Sequence, residues 1–313
     1  MLIRTKYELK MDMDKDLYKS RNASKCVKAG YLFLSSNYKR IFKSIWLPAL
    51  LVAIAVAANV SMTVKSFQDP ASTASLGFIG AALQGAFSVL MMVGSVWLLA
   101  ALYNLFNAEG MRPNIIKGVK LMILELLITI VVTIIVGLVV VGFVYLSKHT
   151  EVSSPDDYKS FLIKAGCTAI GLIVLLFVLS LPFVYFIPKY MMEKIKMRKS
   201  FFKAYKTGFR NWGFLFLVVF IIGLISLVIM ALTTLPLIIL SGAQGASLQG
   251  TIAFGDPSGM PSYFVWLFFL TTLITSFIMT FVSAWMLFTA TYAYGSIEHN
   301  KQERRVAKHK NVV

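Results

Sequence analysis

The sequence predicts an all-α integral membrane protein of six spanning helices, arranged as three helical hairpins, each preceded by a basic interfacial helix, with both termini inside. Three observations predict this. The composition is 58% hydrophobic and only 14% charged, with a mean hydropathy of +0.73 over 313 residues; soluble domains of this size carry about 25% charged residues. Six apolar runs reach the length of about 20 residues needed to cross a hydrocarbon core about 30 Å thick. Finally, the Lys and Arg residues fall almost entirely on one side of those runs.

The six runs are 45–64, 76–103, 121–146, 165–188, 213–240 and 263–294. They divide the chain into a basic N-terminal segment with an interfacial helix (1–44), a six-helix membrane domain (45–294) and a basic tail (295–313). Within 1–44, Arg4, Lys6, Lys10, Lys15 and Lys19 interleave with Glu8, Asp12, Asp14 and Asp16, which leaves no uninterrupted apolar stretch like that of a signal peptide, so the first span is expected to direct insertion. Residues 1–44, the loops after spans two and four, and the tail together hold 27 Lys and Arg. The opposite loops hold four, Lys65, Lys148, Lys159 and Lys164. Short cytoplasmic loops carry the positive excess, so the first set is assigned to the cytoplasm. The net charge of +17 then follows from topology, and no nucleic-acid partner is expected.

The segments leading into spans one, three and five resemble one another. Met111-Arg112-Pro113-Asn114-Ile115-Ile116-Lys117-Gly118-Val119-Lys120 aligns with Met197-Arg198-Lys199-Ser200-Phe201-Phe202-Lys203-Ala204-Tyr205-Lys206, and Ile41-Phe42-Lys43-Ser44-Ile45 repeats its core. Short interfacial helices are expected around 41–45, 115–119 and 201–205, with Asn114 and Ser200 as N-caps. In the third copy Phe201, Tyr205, Gly208, Phe209 and Trp212 share one face, apart from the basic residues. Tyr31 to Leu34 is a further stretch of this kind. Lys43, Lys117, Lys120, Lys199, Lys203, Lys206 and Arg210 are therefore candidate contacts to anionic lipid headgroups.

Three such segments, each followed by a hairpin, resemble uncharacterised bacterial six-helix inner-membrane proteins and the membrane domain attached to some glycerophosphodiester phosphodiesterases. The resemblance is one of architecture and a loose motif. It implies a bacterial cytoplasmic membrane and carries over no catalytic residue.

Inside the spans, polar residues are the places to seek function. Glu125 is the ionisable residue that falls well within a run, roughly 7 to 8 Å beyond Lys120. It is expected to face the bundle interior, near Tyr103, Asn104 or Asn107 or a lysine of an interfacial segment. Asn59 and Gln84 are expected to bond across neighbouring helices, and Thr272, Ser276, Thr280 and Ser283 form a small polar stripe on span six. Ala49, Ala53 and Ala57, and Gly77, Ala81 and Gly85, read as ridges for close helix approach. Pro182, Pro188 and Pro236 are potential kinks, and Ser241 to Ser262 reads as a glycine-rich connector, with a gate folded into a vestibule as the alternative.

Cys26 and Cys167 lie too far apart in topology for a disulfide, the three histidines lie outside the spans, and phosphate-binding glycine motifs do not occur. No catalytic, cofactor or metal site is expected. The leading expectation is a scaffold, sensor or regulator with membrane lipids and a cytoplasmic protein as partners. The alternative is a carrier or channel for lipid or small apolar or neutral solutes.

Overall fold

A computed structural model describes residues 16–68, 70–107, 109–149, 155–255 and 260–310. Among these are nine helices and no strand: α1 (Ala23–Ser36), α2 (Tyr38–Gln68), α3 (Pro70–Asn107), α4 (Met111–His149), α5 (Pro155–Ser180), α6 (Phe183–Met192), α7 (Met197–Arg210), α8 (Trp212–Phe254) and α9 (Phe264–Lys310). Six stretches are long and apolar enough to cross a membrane: Tyr38–Ser66, Gly77–Asn107, Met111–Tyr145, Lys159–Met192, Trp212–Ala253 and Phe264–Ala307. Each overlaps one predicted run. Helices satisfy their own backbone polar groups, which lipid cannot do.

The core lies at the end of the bundle that carries the basic loops, hereafter the basic end. Tyr103, Tyr185, Phe186, Met191, Phe288 and Tyr294 are almost fully buried there, together with Ile41 and Ile45 at the start of α2. Phe33 of α1 stacks on Phe106 at 4.6 Å and meets Phe288 edge-on at 4.9 Å, joining α1, α3 and α9. The far halves of α4 and α5 are exposed along most of their length.

The interfacial segments differ from expectation. Only 201–205 belongs to a separate short helix, α7, of 14 residues. Residues 41–45 open the long helix α2, and the separate helix before span one is α1, also 14 residues, which includes Tyr31 to Leu34. Residues 115–119 lie inside α4, whose 39 residues run unbroken into span three. The breaks are made by asparagines. The Nδ2 of Asn37 donates to the Phe33 carbonyl at 3.0 Å, and that of Asn211 to the Thr207 carbonyl at 2.8 Å. Their backbones are nearly identical, φ −110°, ψ 17° and φ −108°, ψ 26°. An amide that bonds its own preceding turn competes with helical continuation. Nor do Asn114 and Ser200 act as N-caps, because α4 and α7 begin three residues earlier, at Met111 and Met197.

Ala49, Ala53 and Ala57 are fully buried, as a packing ridge requires. Gly77, Ala81 and Gly85 are exposed, so that second ridge is a correction. Close approach between spans one and two occurs instead at Gly94, where a β-carbon would lie 2.5 Å from Leu51 and 2.8 Å from Val52. Gly77 serves the backbone, its φ of 36° interrupting α3 where span two begins. At Leu181 and Pro182 a turn separates α5 from α6. Helix α8 contains Pro236 and continues through 254, so the first part of the expected glycine-rich connector is helical, ending at Gly255 with φ 65°.

Candidate functional site

A belt of hydrogen-bonded polar side chains crosses the basic end. It begins where α3 turns into α4. Asn107 and Asn114, 6% and 0% exposed, bond each other in both directions at 2.8 and 3.1 Å, and Asn107 also donates to the Met191 carbonyl at 3.0 Å. One turn along α4, Lys117 donates to Glu109 at 3.0 Å, and to the carbonyls of Met191 at 3.0 Å and Glu193 at 3.1 Å. Gly110 makes the tight connection with a φ of 100°, its N–H donating to Asn104 Oδ1. Lys117 thereby fastens the start of α4 to the last turn of α6, whose unsatisfied terminal carbonyls favour a cation.

Glu193 carries the belt onward. Its carboxylate accepts from Lys189 at 2.9 Å and from the Tyr294 hydroxyl at 2.8 Å. Lys189 also donates to Glu298 at 2.9 Å, and Glu298 accepts further bonds from Tyr185 and Lys301. Lys189 lies 5.6 and 5.9 Å from the rings of Tyr185 and Tyr294, close enough for cation–π attraction. Helices α6 and α9 are thus joined by a lysine held between two carboxylates. Such pairs, partly withdrawn from water, cost more when one partner is lost than exposed pairs do.

A strap formed by residues 16–22 closes the belt over α9. The Arg21 N–H donates to Ser296 Oγ at 2.9 Å, and Ser296 donates back to the Arg21 carbonyl at 3.0 Å. The Arg21 guanidinium pairs with Asp16 at 3.0 Å and lies 5.0 Å over the Tyr292 ring. Beyond the strap, Asn22 caps α1 by accepting from the Lys25 N–H at 2.9 Å. Helix α1 then packs on α9, with Gly30 against Thr289 and the Trp285 indole donating to the Val27 carbonyl at 3.3 Å. Cys26 is buried in this contact, and burial pushes its thiol up to about 11, against a smaller opposing effect of Arg21.

The sites expected from sequence are distributed differently. Glu125 is exposed on α4 and has no hydrogen bond or ion pair among the described residues, which corrects its expected inward orientation. Asn104 and Asn107 are engaged elsewhere, with Gly110 and Asn114. Glu125 lies seven residues beyond the buried Gly118, as Asn37 lies beyond Gly30 and Asn211 beyond Ala204. Glu125 has no amide N–H to donate to the preceding turn as the asparagines do, and α4 continues unbroken where α1 and α7 end. Asn59 bonds the Ala55 carbonyl of its own helix at 3.1 Å, and Gln84 is exposed, so among the described residues neither bonds across helices.

On α9, Thr272 is 3% exposed with an unsatisfied hydroxyl among the described residues, and Ser276 is half-buried. Thr280 and Ser283 bond carbonyls of their own helix, and Ser283 is exposed, so the stripe does not share one environment. Thr275 makes the contact across helices, to the Thr233 carbonyl at 3.3 Å.

Lys43, Lys120, Lys203, Lys206 and Arg210 are exposed, whereas Lys117, as a member of the belt, is a correction to the headgroup set. Lys199 lies on α7, with its side chain outside the described residues. Phe201, Tyr205 and Gly208 of α7 pack against the α6 region, while Phe202, Phe209 and Trp212 face outward.

Sequence reading missed Glu109, Lys189, Glu193, Glu298, Tyr185 and Tyr294. A signal was present: the basic loops after spans two and four hold one carboxylate each, Glu109 and Glu193, and the basic tail after span six holds Glu298 and Glu303. Comparison of the chain with protein-family models, curated proteins and solved structures finds no match.

Proposed function

We propose that this chain is a non-catalytic, multi-pass module of a bacterial cytoplasmic membrane that scaffolds, senses or regulates through its basic face, which is the cytoplasmic one. The observation that carries the reading is the division of labour among its charges. Glu109, Lys117, Lys189, Glu193 and Glu298 are engaged in ties between helices, while Lys43, Lys120, Lys203, Lys206 and Arg210 remain exposed around them. A braced end that displays cations suits an acidic partner or an anionic membrane surface.

The test is crosslinking in native membranes from probes placed at 120, 203 and 206, beside lipid and solute flux in vesicles containing the purified chain. The reading expects specific protein adducts that disappear when these lysines are neutralised, and flux no greater than that of empty vesicles. Protein-dependent flux without adducts overturns it.

A carrier or channel for lipid or small neutral solutes is the second reading. It draws on the hydroxyls of Ser61, Ser226 and Thr272, which are buried without a hydrogen-bond partner among the described residues. On that reading Thr272→Val changes flux while abundance is retained.

A further inference from the structure

The geometry points to a binding site for one anionic phospholipid in the groove between the strap and α1, resting on the reading that the basic end faces an anionic leaflet. The groove is open, with Arg21, Lys25 and Lys28 toward one end and Leu32 and Phe33 toward the other. Lys25, Lys28 and Leu32 follow at steps of three and four along α1, so they lie on one face of the helix. From Lys25 to Phe33 the lining passes from cationic to apolar, the order in which a phospholipid passes from phosphate to acyl chain, and Ser36 and Asn37 follow beyond.

Among the described residues the local charge is unbalanced. Asp16 is the carboxylate among those that line the groove and is already paired with Lys19 and Arg21, both at 3.0 Å. Lys25 and Lys28 are exposed and have no carboxylate partner among the described residues. Both lie in the first two turns of α1, whose first turn contains no acid. A helix N-terminus bears about half a positive charge and favours acidic neighbours, so this placement is unfavourable until an anion arrives. A second observation bears on the depth. On the same helix half-exposed Tyr31 rests edge-on at 6.1 Å against the buried Trp285, and exposed Tyr concentrates at headgroup level. The occupant is therefore a membrane lipid with an acidic headgroup.

Native mass spectrometry of the purified full chain, with phosphatidylglycerol or phosphatidylcholine added, tests this. Each lysine near an anionic lipid surface changes affinity by about fivefold. The expected result is one retained phosphatidylglycerol, preferred over phosphatidylcholine and weakened about tenfold or more in Lys25→Gln/Lys28→Gln. Lys194→Gln/Lys196→Gln, exposed and outside the groove lining, should stay within about twofold of the original. Unchanged retention in the first variant, or equal retention of the two lipids, overturns the site. Displacement by millimolar inorganic phosphate also overturns it, by showing a phosphate site rather than a lipid site. Trp285 emission reports whether α1 remains docked; if the double substitution undocks it, Lys28→Gln alone carries the same test with a loss of about fivefold. Loss of lipid with no crosslinked partner removes the scaffold reading and keeps the site, whereas partners with unchanged lipid retention remove the site and keep the scaffold.

Discussion

The main-chain carbonyl of Leu17 lies against the α-carbon of Gly295, in the space that a β-carbon at 295 would occupy. The strap can cross α9 only because residue 295 is glycine. In Gly295→Ala the obstacle is backbone, which no rotamer change can move, so overpacking of about 1–3 kcal/mol opposes a helix-propensity gain of about 1 kcal/mol. We expect faster tryptic cleavage at Lys19 and Arg21 and a lowered thermal midpoint. Gly223→Ala, with no atom within 4 Å of the new methyl group, should be neutral or stabilising in the same assays.

Lys117 and Lys120 separate structure from surface. Lys117→Met leaves the Glu109 carboxylate, 16% exposed, and two carbonyls without their cation, and should cost about 1–3 kcal/mol in detergent unfolding. Lys120→Gln, at an exposed position, should stay within about 0.5 kcal/mol. Equal effects of the two changes would contradict the belt.

The buried contact of α1 predicts a slow thiol. Cys26 is fully buried and its thiol is shifted upward to about 11, so little thiolate exists at pH 8. A water-soluble maleimide should leave Cys26 unmodified in the folded chain and label it after denaturation in dodecyl sulfate. In Gly30→Ala, where the new methyl group would lie 2.5 Å from Thr289 Oγ1 and 2.8 Å from its backbone nitrogen, labelling of Cys26 before denaturation should rise.

For Glu125 the expectation is reversed by its exposure. A carboxylate on a lipid-facing surface is costly even at shallow depth, so Glu125→Leu should accumulate in membranes at least as well as the original chain and keep its signal or flux. Loss of abundance would show that the residue has a partner in the membrane.

Orientation can be checked separately. The distribution of 27 against four Lys and Arg predicts that cysteines introduced at 157 and 256 react with impermeant reagent from outside, and one at 199 from inside. One site on the wrong side is enough to refute the topology.

The spans were legible because a bilayer demands a length and an apolarity that composition records directly. Which faces meet was not legible. Gly77, Ala81 and Gly85 have the spacing of a packing ridge, yet it is Gly94 that meets Leu51 and Val52, because the crossing point depends on the whole bundle. Asn37 and Asn211 look like ordinary loop residues until their amides are seen bonding the turn before them. The belt was hidden for a similar reason. Lys117 and Lys189 count equally with every other lysine in a tally of charge, and only the folded chain shows them held against Glu109, Glu193 and Glu298.

Helix α9 has 47 residues, about 70 Å of continuous helix against a hydrocarbon core of about 30 Å. Past Ser296, where the strap is fastened, the helix runs on for about 20 Å to Lys310. Gln302 to Ala307 in that part are exposed, and its root is held at Ser296 by the strap and at Glu298 by Lys189. A single rigid rod therefore joins the exposed tail to the stretch carrying Thr272 and Thr275, with its attachment to the rest of the basic end concentrated in those few bonds.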